Sequence, residues 1–238
     1  MKKKIFLASI ALIIVIGVIA YMAYGYYQKQ TLKVENPIVT MEIENYGTVK
    51  MELYPEIAPN TVRNFIKLIN KGYYNGLTFH RVEESLIQGG DKEGTGSGVT
   101  EYSIEGEFSE NDHPENTLSF ERGTLGLARQ DFSIYYYYTG DSSYLTKGYN
   151  SGCTQFFITA EDCSDKFDGY YCAFGKVIEG MDIIDQITKI ETVVETDEET
   201  GETSTTTTPV NPPVIKSMTV DTFGIKYNEP KKITSTND

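Results

Sequence analysis

Val39, Met41 and Ile43 alternate with Thr40, Glu42 and Glu44, Asn45-Tyr46-Gly47 supplies turn residues, and Val49, Met51 and Leu53 alternate again. A period of two on both sides of a turn predicts a β-hairpin with one buried face. The period then changes. Pro59-Asn60-Thr61 is a start signal, Val62, Phe65, Ile66 and Ile69 recur at spacings of three and four, and Gly72 is a stop, so an amphipathic helix is predicted. Short apolar runs follow at 77–82, 124–128, 155–159, 173–177 and 214–220, separated by Gly, Asn, Asp and Ser clusters. Residues 181–190 are the only other good helical stretch. Many short strands with two helices predict a mainly β domain, a closed barrel capped by helices, because an apolar helix face needs a sheet surface to cover.

Several segments depart from this rhythm. Lys2-Lys3-Lys4 precedes twenty uncharged residues, 5–24, which as a helix would span a hydrocarbon layer of roughly 30 Å. The expectation is a transmembrane signal anchor over 5–27, with residues 1–4 cytoplasmic and everything after it outside. Cleavage near Ala23-Tyr24-Gly25, giving a secreted domain, is the alternative. Residues 28–36 are polar and read as a linker, and the domain is expected over 37–224. Within it, residues 130–153 carry Tyr135-Tyr136-Tyr137-Tyr138, Tyr144 and Tyr149 among Asp, Ser and Gly, which reads as a long loop of polar-tipped aromatics. Residues 191–209, acidic and then Thr-rich, read as a solvated, mobile loop, and 225–238 as a polar tail.

Composition narrows the chemistry. With 39% hydrophobic residues, 18 Tyr and 11 Phe, the 238-residue chain can bury one sizeable core. Asp and Glu outnumber Lys and Arg by 34 to 21, and by 34 to 18 once the three N-terminal lysines are set aside, which argues against a nucleic-acid partner. Only two histidines, His80 and His113, are present, and no Cys or His lies at metal-ligand spacing, so no metal site is expected. Gly94-Thr95-Gly96-Ser97-Gly98 has a phosphate loop's composition but no following Lys or helix, and reads as a turn. There is no G-x-S-x-G.

The remaining signals are collinear: Phe79-His80-Arg81-Val82, Gln88-Gly89-Gly90-Asp91, Gly94-Thr95-Gly96, Gln155-Phe156-Phe157-Ile158-Thr159, and Phe167-Asp168-Gly169 leading to Phe174-Gly175-Lys176-Val177. With Ile57-Ala58-Pro59-Asn60-Thr61-Val62-Arg63-Asn64-Phe65 before them, they resemble the cyclophilins over about four fifths of the chain. The resemblance implies a peptidyl-prolyl cis-trans isomerase on an eight-stranded antiparallel barrel closed by two helices, without metal or organic cofactor. With the N-terminal segment it implies a bacterial membrane-anchored form that assists folding of exported or cell-surface proteins. It implies that Arg81 is the catalytic guanidinium, that Gln88 orients it, and that Phe157 floors the proline pocket. Leu86, the backbone of Leu127-Ala128-Arg129, Gln155, Phe167 and Tyr171 fall at the other substrate-binding positions.

Departures accompany the resemblance. Glu83-Glu84-Ser85-Leu86-Ile87 is one residue shorter than the family pattern, so the usual pocket Phe is missing and Ser85 or the deletion stands in its place. Phe167 and Tyr171 replace a pocket Leu and His, and Lys166 replaces a Trp associated with tight cyclosporin binding, so weak cyclosporin binding is expected. Two functions are therefore carried forward: an isomerase acting on proline-containing flexible segments, and a catalytically weak module that binds them. A Cys163–Cys172 disulfide is permitted outside the cytoplasm, with two reduced thiols as the alternative. The Tyr-rich insertion is expected at the rim of the substrate groove, its rings either contacting residues that flank the proline or packing on the insertion itself.

Overall fold

The computed structural model describes residues 14–25, 35–98, 100–196 and 203–234. The chain divides into two units, residues 1–35 and 36–238. In the first, residues 14–25 form a helical run. Among the described residues no helix is long and apolar enough to cross a membrane. The transmembrane helix expected over 5–27 is thus not found among them. Residues 5–13 and 26–27 of that expected anchor, the lysine cluster and most of the 28–36 linker lie outside the described residues.

Among the described residues the second unit is built on ten strands. These are β1 (Ile38–Ile43), β2 (Gly47–Leu53), β3 (Phe79–Val82), β4 (Leu86–Gly89), β5 (Thr124–Leu127), β6 (Phe156–Thr159), β7 (Cys172–Glu179), β8 (Thr192–Thr196), β9 (Thr203–Pro209) and β10 (Ile215–Asp221). Eight of them form one antiparallel sheet in the order β10-β1-β2-β7-β5-β6-β4-β3. Here the sequence expectation needs correction: the barrel is open. Its edge strands meet only at a short seam, an isolated Thr78–Val214 bridge with backbone bonds from Phe79 to Pro213 (3.0 Å) and from Ile215 to Leu77 (2.8 Å). Pro212 and Pro213, just before β10, have no N–H to extend that pairing.

The alternating residues of β1 and β2, Val39, Met41, Ile43, Val49, Met51 and Leu53, are buried in the main core. Helix α1 (Pro59–Asn70) covers it from the β7 and β10 side, its Phe65 ring 5.1 Å from Tyr74, 5.4 Å from Phe156 and 5.1 Å from Phe174. Four further α-helices among the described residues are short: α2 (Ser133–Thr139), α3 (Ser143–Tyr149), α4 (Ser164–Phe167) and α5 (Met181–Ile187). Of these α5 packs against β2, burying Ile183, Ile184 and Ile187.

Three segments are more ordered than their composition suggested. The Tyr-rich insertion is not an irregular loop but the pair α2 and α3. Each begins with an Asp whose carboxylate accepts the N–H two residues on, Asp131 from Ser133 and Asp141 from Ser143, both at 2.9 Å, and Gly140 ends the first in a left-handed conformation (φ 69°). The expected mobile loop over 191–209 is a hairpin of β8 and β9 beside β3, with residues 197–202 outside the described residues. Exposed Thr and Val suit extended backbone even without a buried face. Residues 225–234 of the tail dock on the domain. Lys231 exchanges two bonds with the Asn60 side chain (3.0 and 2.7 Å), Ile233 pairs with Ser103, and Glu229 pairs with Lys67.

All three cysteines are free and buried. Cys172 belongs to the main core beside Thr61 Oγ1 (3.2 Å), while Cys163 sits in a second cluster near the Ser85 carbonyl (3.8 Å). A bridge between them is not formed. Burial pushes the Cys172 thiol up to about 12.

Candidate active site

β3 and β4 are joined by a tight turn closed by the Glu83 N–H on the Leu86 carbonyl (2.9 Å), and their register sets Arg81 opposite Gln88. Arg81 Nη1 donates to Gln88 Oε1 at 3.1 Å, Gln88 Nε2 donates to Gln155 Oε1 at 2.9 Å, and Gln155 Nε2 donates to the Gly96 carbonyl at 3.0 Å. The relay crosses from β3 to β4 to the start of β6 and fixes the guanidinium plane. From the other side, Arg81 Nε and Nη2 both bond Glu83 Oε1, at 2.8 and 2.6 Å. Three of the five guanidinium N–H groups are thereby used, leaving one on each terminal nitrogen for substrate.

Beside this relay lies the second apolar cluster. Leu86, Phe120, Phe157, Cys163 and Ala173 are buried in it, with Leu118, Ala128, Phe167 and Tyr171 half-buried around them. The Phe157 ring is 5.3 Å from Phe167 and 5.8 Å from Tyr171 at edge-on angles, and those two rings are 5.1 Å apart. Phe157 is 3% exposed and Leu86 2%, so the pocket is shallow, and its accessible wall is made by Ala128, Phe167 and Tyr171. Gly126 is needed here: a Cβ on it would lie 2.2 Å from Phe157 Cζ.

The structure thus brings Arg81, Gln88 and Gln155 into one hydrogen-bonded chain, and Leu86, Phe157, Ala128, Phe167 and Tyr171 into one cluster. Leu127 differs, because its side chain belongs to the main core. Arg129 is held rather than free: Nε donates to the Tyr170 carbonyl (2.9 Å), Nη1 donates to the Gln130 carbonyl (3.0 Å), and the guanidinium lies 4.4 Å from the Tyr171 ring centre. Two residues were missed from sequence. Phe120 stacks on Phe157 at 5.4 Å and 17° from the buried side, and is placed there by Asp168, which accepts the Phe120 N–H (2.7 Å) and the Ser119 hydroxyl (2.6 Å). Glu83 is the other.

A cleft of about 860 Å³ runs past Gln155, Ala128 and Arg129, walled by Ser143, Thr146 and Lys147 of the insertion and by Ile233 and Thr234 of the tail. The glycine-rich segment at its edge wraps the Asp91 carboxylate, which accepts N–H groups of Glu93, Thr95, Gly96 and Gly98 at 2.7 to 3.2 Å. Burial raises the Asp91 pKa, but these four bonds outweigh it and hold the carboxyl below its usual range. Gly98 must be Gly, since a Cβ would sit 1.9 Å from Asp91 Oδ1.

His80 packs against Gly96, and neither ring nitrogen has a hydrogen-bond partner among the described residues. Burial lowers its pKa and the Arg81 charge adds to that, against an opposing pull from Asp91. Below pH near 6.5 the unfolded imidazole takes a proton that the folded one resists, so stability is full above that value and falls on acidification toward the depressed folded pKa. His113 shifts upward despite burial because Glu115 and Glu105 face it, and works in the opposite sense. The difference in urea stability between the parent and His80→Gln is therefore expected to shrink as pH drops from 7.5 to 5. A pH-independent difference would refute a neutral buried His80.

Comparison with known proteins agrees with this geometry. The family model described as "Cyclophilin type peptidyl-prolyl cis-trans isomerase/CLD" matches residues 38–220. The chain is 35% identical over 154 residues to peptidyl-prolyl cis-trans isomerase B of Bacillus subtilis, covering 64% of this chain and 92% of that one. It is 33% identical over 158 residues to a peptidyl-prolyl cis-trans isomerase of Synechococcus elongatus, covering 63% and 92%. A crystal structure of a Cryptosporidium parvum cyclophilin-type isomerase in the presence of the dipeptide Ala-Pro superposes with a TM-score of 0.57 at 27% identity, over 77% of this chain and 98% of that one. Fold and similarity together place the chain among the peptidyl-prolyl cis-trans isomerases. The chain belongs to the cyclophilin family of peptidyl-prolyl cis-trans isomerases.

Proposed function

We propose that Arg81 stabilises the twisted X-Pro amide of flexible protein segments, with the proline ring held against Phe167, Tyr171 and Ala128 over the buried Phe157 and Leu86. Amide resonance sets a barrier of roughly 18 to 20 kcal/mol, and no bond need be made or broken to lower it. Twisting localises a lone pair on the prolyl nitrogen, to which a free guanidinium N–H can donate. A gain of about 10⁵ in rate would require roughly 7 kcal/mol of preference for the twisted over the planar amide. The observation that carries this reading is the Arg81–Gln88–Gln155 relay, which fixes the guanidinium before substrate arrives and leaves two donors unused. A protease-coupled assay on a proline tetrapeptide tests it, and a rate no faster than the uncatalysed one would reject it.

Capture of proline-containing segments with little turnover is the second reading. It is favoured by the shallow pocket and by Ser85, whose carbonyl is engaged by Ala160 (2.7 Å) where the family pattern places an aromatic ring. Binding of the tetrapeptide without acceleration would select it.

The site of action proposed is outside the cytoplasm, on exported or cell-surface proteins, with the chain held by its N-terminal segment or released by cleavage there. Support comes from Lys2-Lys3-Lys4 followed by twenty uncharged residues. Protease digestion of intact cells is expected to remove the domain. Weak cyclosporin binding is also expected, because the exposed Lys166 of α4 stands where an indole would give apolar area and a donor. Nanomolar affinity by calorimetric titration would overturn that expectation.

A further inference from the structure

A second cleft, of about 370 Å³, lies between the insertion and α4, lined by Phe132, Tyr136, Tyr149, Phe167, Tyr170 and Tyr171. We propose that it is a subsite for an aromatic side chain of the substrate, about three residues from the isomerised proline. This rests on the assignment of the proline pocket above.

Continuity with that pocket is the first argument. Phe167 and Tyr171 belong to the cluster around Phe157 and also line the cleft. The Phe157 ring lies 5.8 Å from Tyr171, and Tyr171 lies 4.4 Å from the Arg129 guanidinium that also lines the cleft, so ring and guanidinium are at most roughly 10 Å apart, within the reach of about three extended residues. A chain leaving the proline toward Tyr171 would meet the cleft within that reach.

Rigidity is the second. The Arg129 guanidinium is bonded to the Tyr170 and Gln130 carbonyls and also lies 5.1 Å from the Tyr149 ring, tying the end of the insertion to the segment after α4. Such a cleft needs little ordering when a side chain enters.

Chemistry is the third. The insertion divides its rings between two uses. Tyr135 stacks on Tyr144 at 5.5 Å and 19°, and Phe132 meets Tyr135 at 5.9 Å, which holds α2 and α3 together. Tyr136 and Tyr170 remain 41% and 48% exposed at the cleft. The volume is at the small end of ligand pockets and suits one large side chain. An aromatic guest gains edge-on ring contacts and the nearby Lys166 cation, which an aliphatic guest of equal size does not.

The test uses the full chain and octapeptides with one proline, carrying Trp or Ala at the third residue before or after it. In the parent, Trp at one of the two placements is expected to raise kcat/KM about tenfold over Ala, and Tyr136→Ala/Tyr170→Ala is expected to abolish that ratio while leaving the Ala peptides and a tetrapeptide unchanged. Equal kcat/KM for Trp and Ala at both placements, or a ratio retained by the variant, would overturn the proposal. Because the chain contains no Trp, the peptide's own fluorescence reports its burial. If no peptide is turned over, the assignment of the proline pocket fails, and the fluorescence titration still decides the cleft: tighter binding by the parent than by the variant supports it, equal binding refutes it.

Discussion

Arg81→Ala is expected to lower kcat/KM for a proline tetrapeptide by about 10² to 10³, the cost of removing one preorganised donor aimed at developing charge, while the thermal midpoint stays nearly unchanged. The side chain is half-exposed and its partners are a glutamine and a glutamate at the surface, so the core does not depend on it. If the guanidinium acts only in the twisted state, kcat and kcat/KM fall together and KM does not move. Arg81→Lys keeps the charge but cannot reach the prolyl nitrogen and Gln88 with one planar fork, and is expected to recover only a small part of the rate. A parent-like rate in Arg81→Ala, in a protein that still melts cooperatively, would remove Arg81 from the reaction.

The parts of this fold legible in sequence are those with a repeating period. The alternation in β1 and β2 and the three-four spacing in α1 correspond to residues that are buried in the structure. Strand β4 was hidden because its four residues face two cores, Leu86 the pocket cluster and Ile87 the main one, so nothing alternates. The insertion was misread through its tyrosines. Its Asp131-x-Ser133 and Asp141-x-Ser143 starts, and Gly140 as a stop, carried the helical signal. Thr-rich composition suggested a mobile segment where β-propensity would have suggested β8 and β9.

The site was legible in a different way. Arg81, Gln88, Gln155 and Phe157 were gathered by a resemblance that preserves their order, whereas spacing alone gives no reason for residues 81 and 155 to meet. Phe120 has no period and no motif. Its position depends on Asp168, 48 residues later, and such long-range side-chain bonds leave no local trace. Glu83 is different: it lies two residues from Arg81, and only the tight turn of the shortened segment shows that its carboxylate folds back onto the guanidinium.

Glu107 is the strongest case of a residue whose role only the folded chain reveals. Helix α1 begins at Pro59 after Ala58, which has no side-chain acceptor for the first N–H groups of the helix. The buried Glu107 carboxylate supplies it from 46 residues away, accepting the Asn60 N–H at 2.9 Å and the Thr61 N–H and hydroxyl both at 2.7 Å. Negative charge at a helix N-terminus adds to these bonds. Glu107→Ala leaves the Asn60 and Thr61 N–H groups without a partner in a buried site, and the Thr61 hydroxyl with only the Cys172 sulfur (3.2 Å), and is expected to destabilise the domain by roughly 3 kcal/mol, more than loss of an ordinary exposed cap. At about 2 to 4 °C per kcal/mol for a domain of this size, the midpoint should fall by about 6 to 12 °C. Glu107→Gln keeps an acceptor oxygen but not the charge, and is expected to lose about half as much. Isomerase activity per folded molecule should be unchanged in both, since Glu107 touches neither Arg81 nor the aromatic cluster. Urea titrations of the two variants and of Thr61→Ala check the assignment, because the Thr61 and Glu107 losses must fall well short of additive if the residues share these bonds. Strict additivity, or a Glu107→Ala midpoint within about 2 °C of the parent's, would show that α1 is capped by something else.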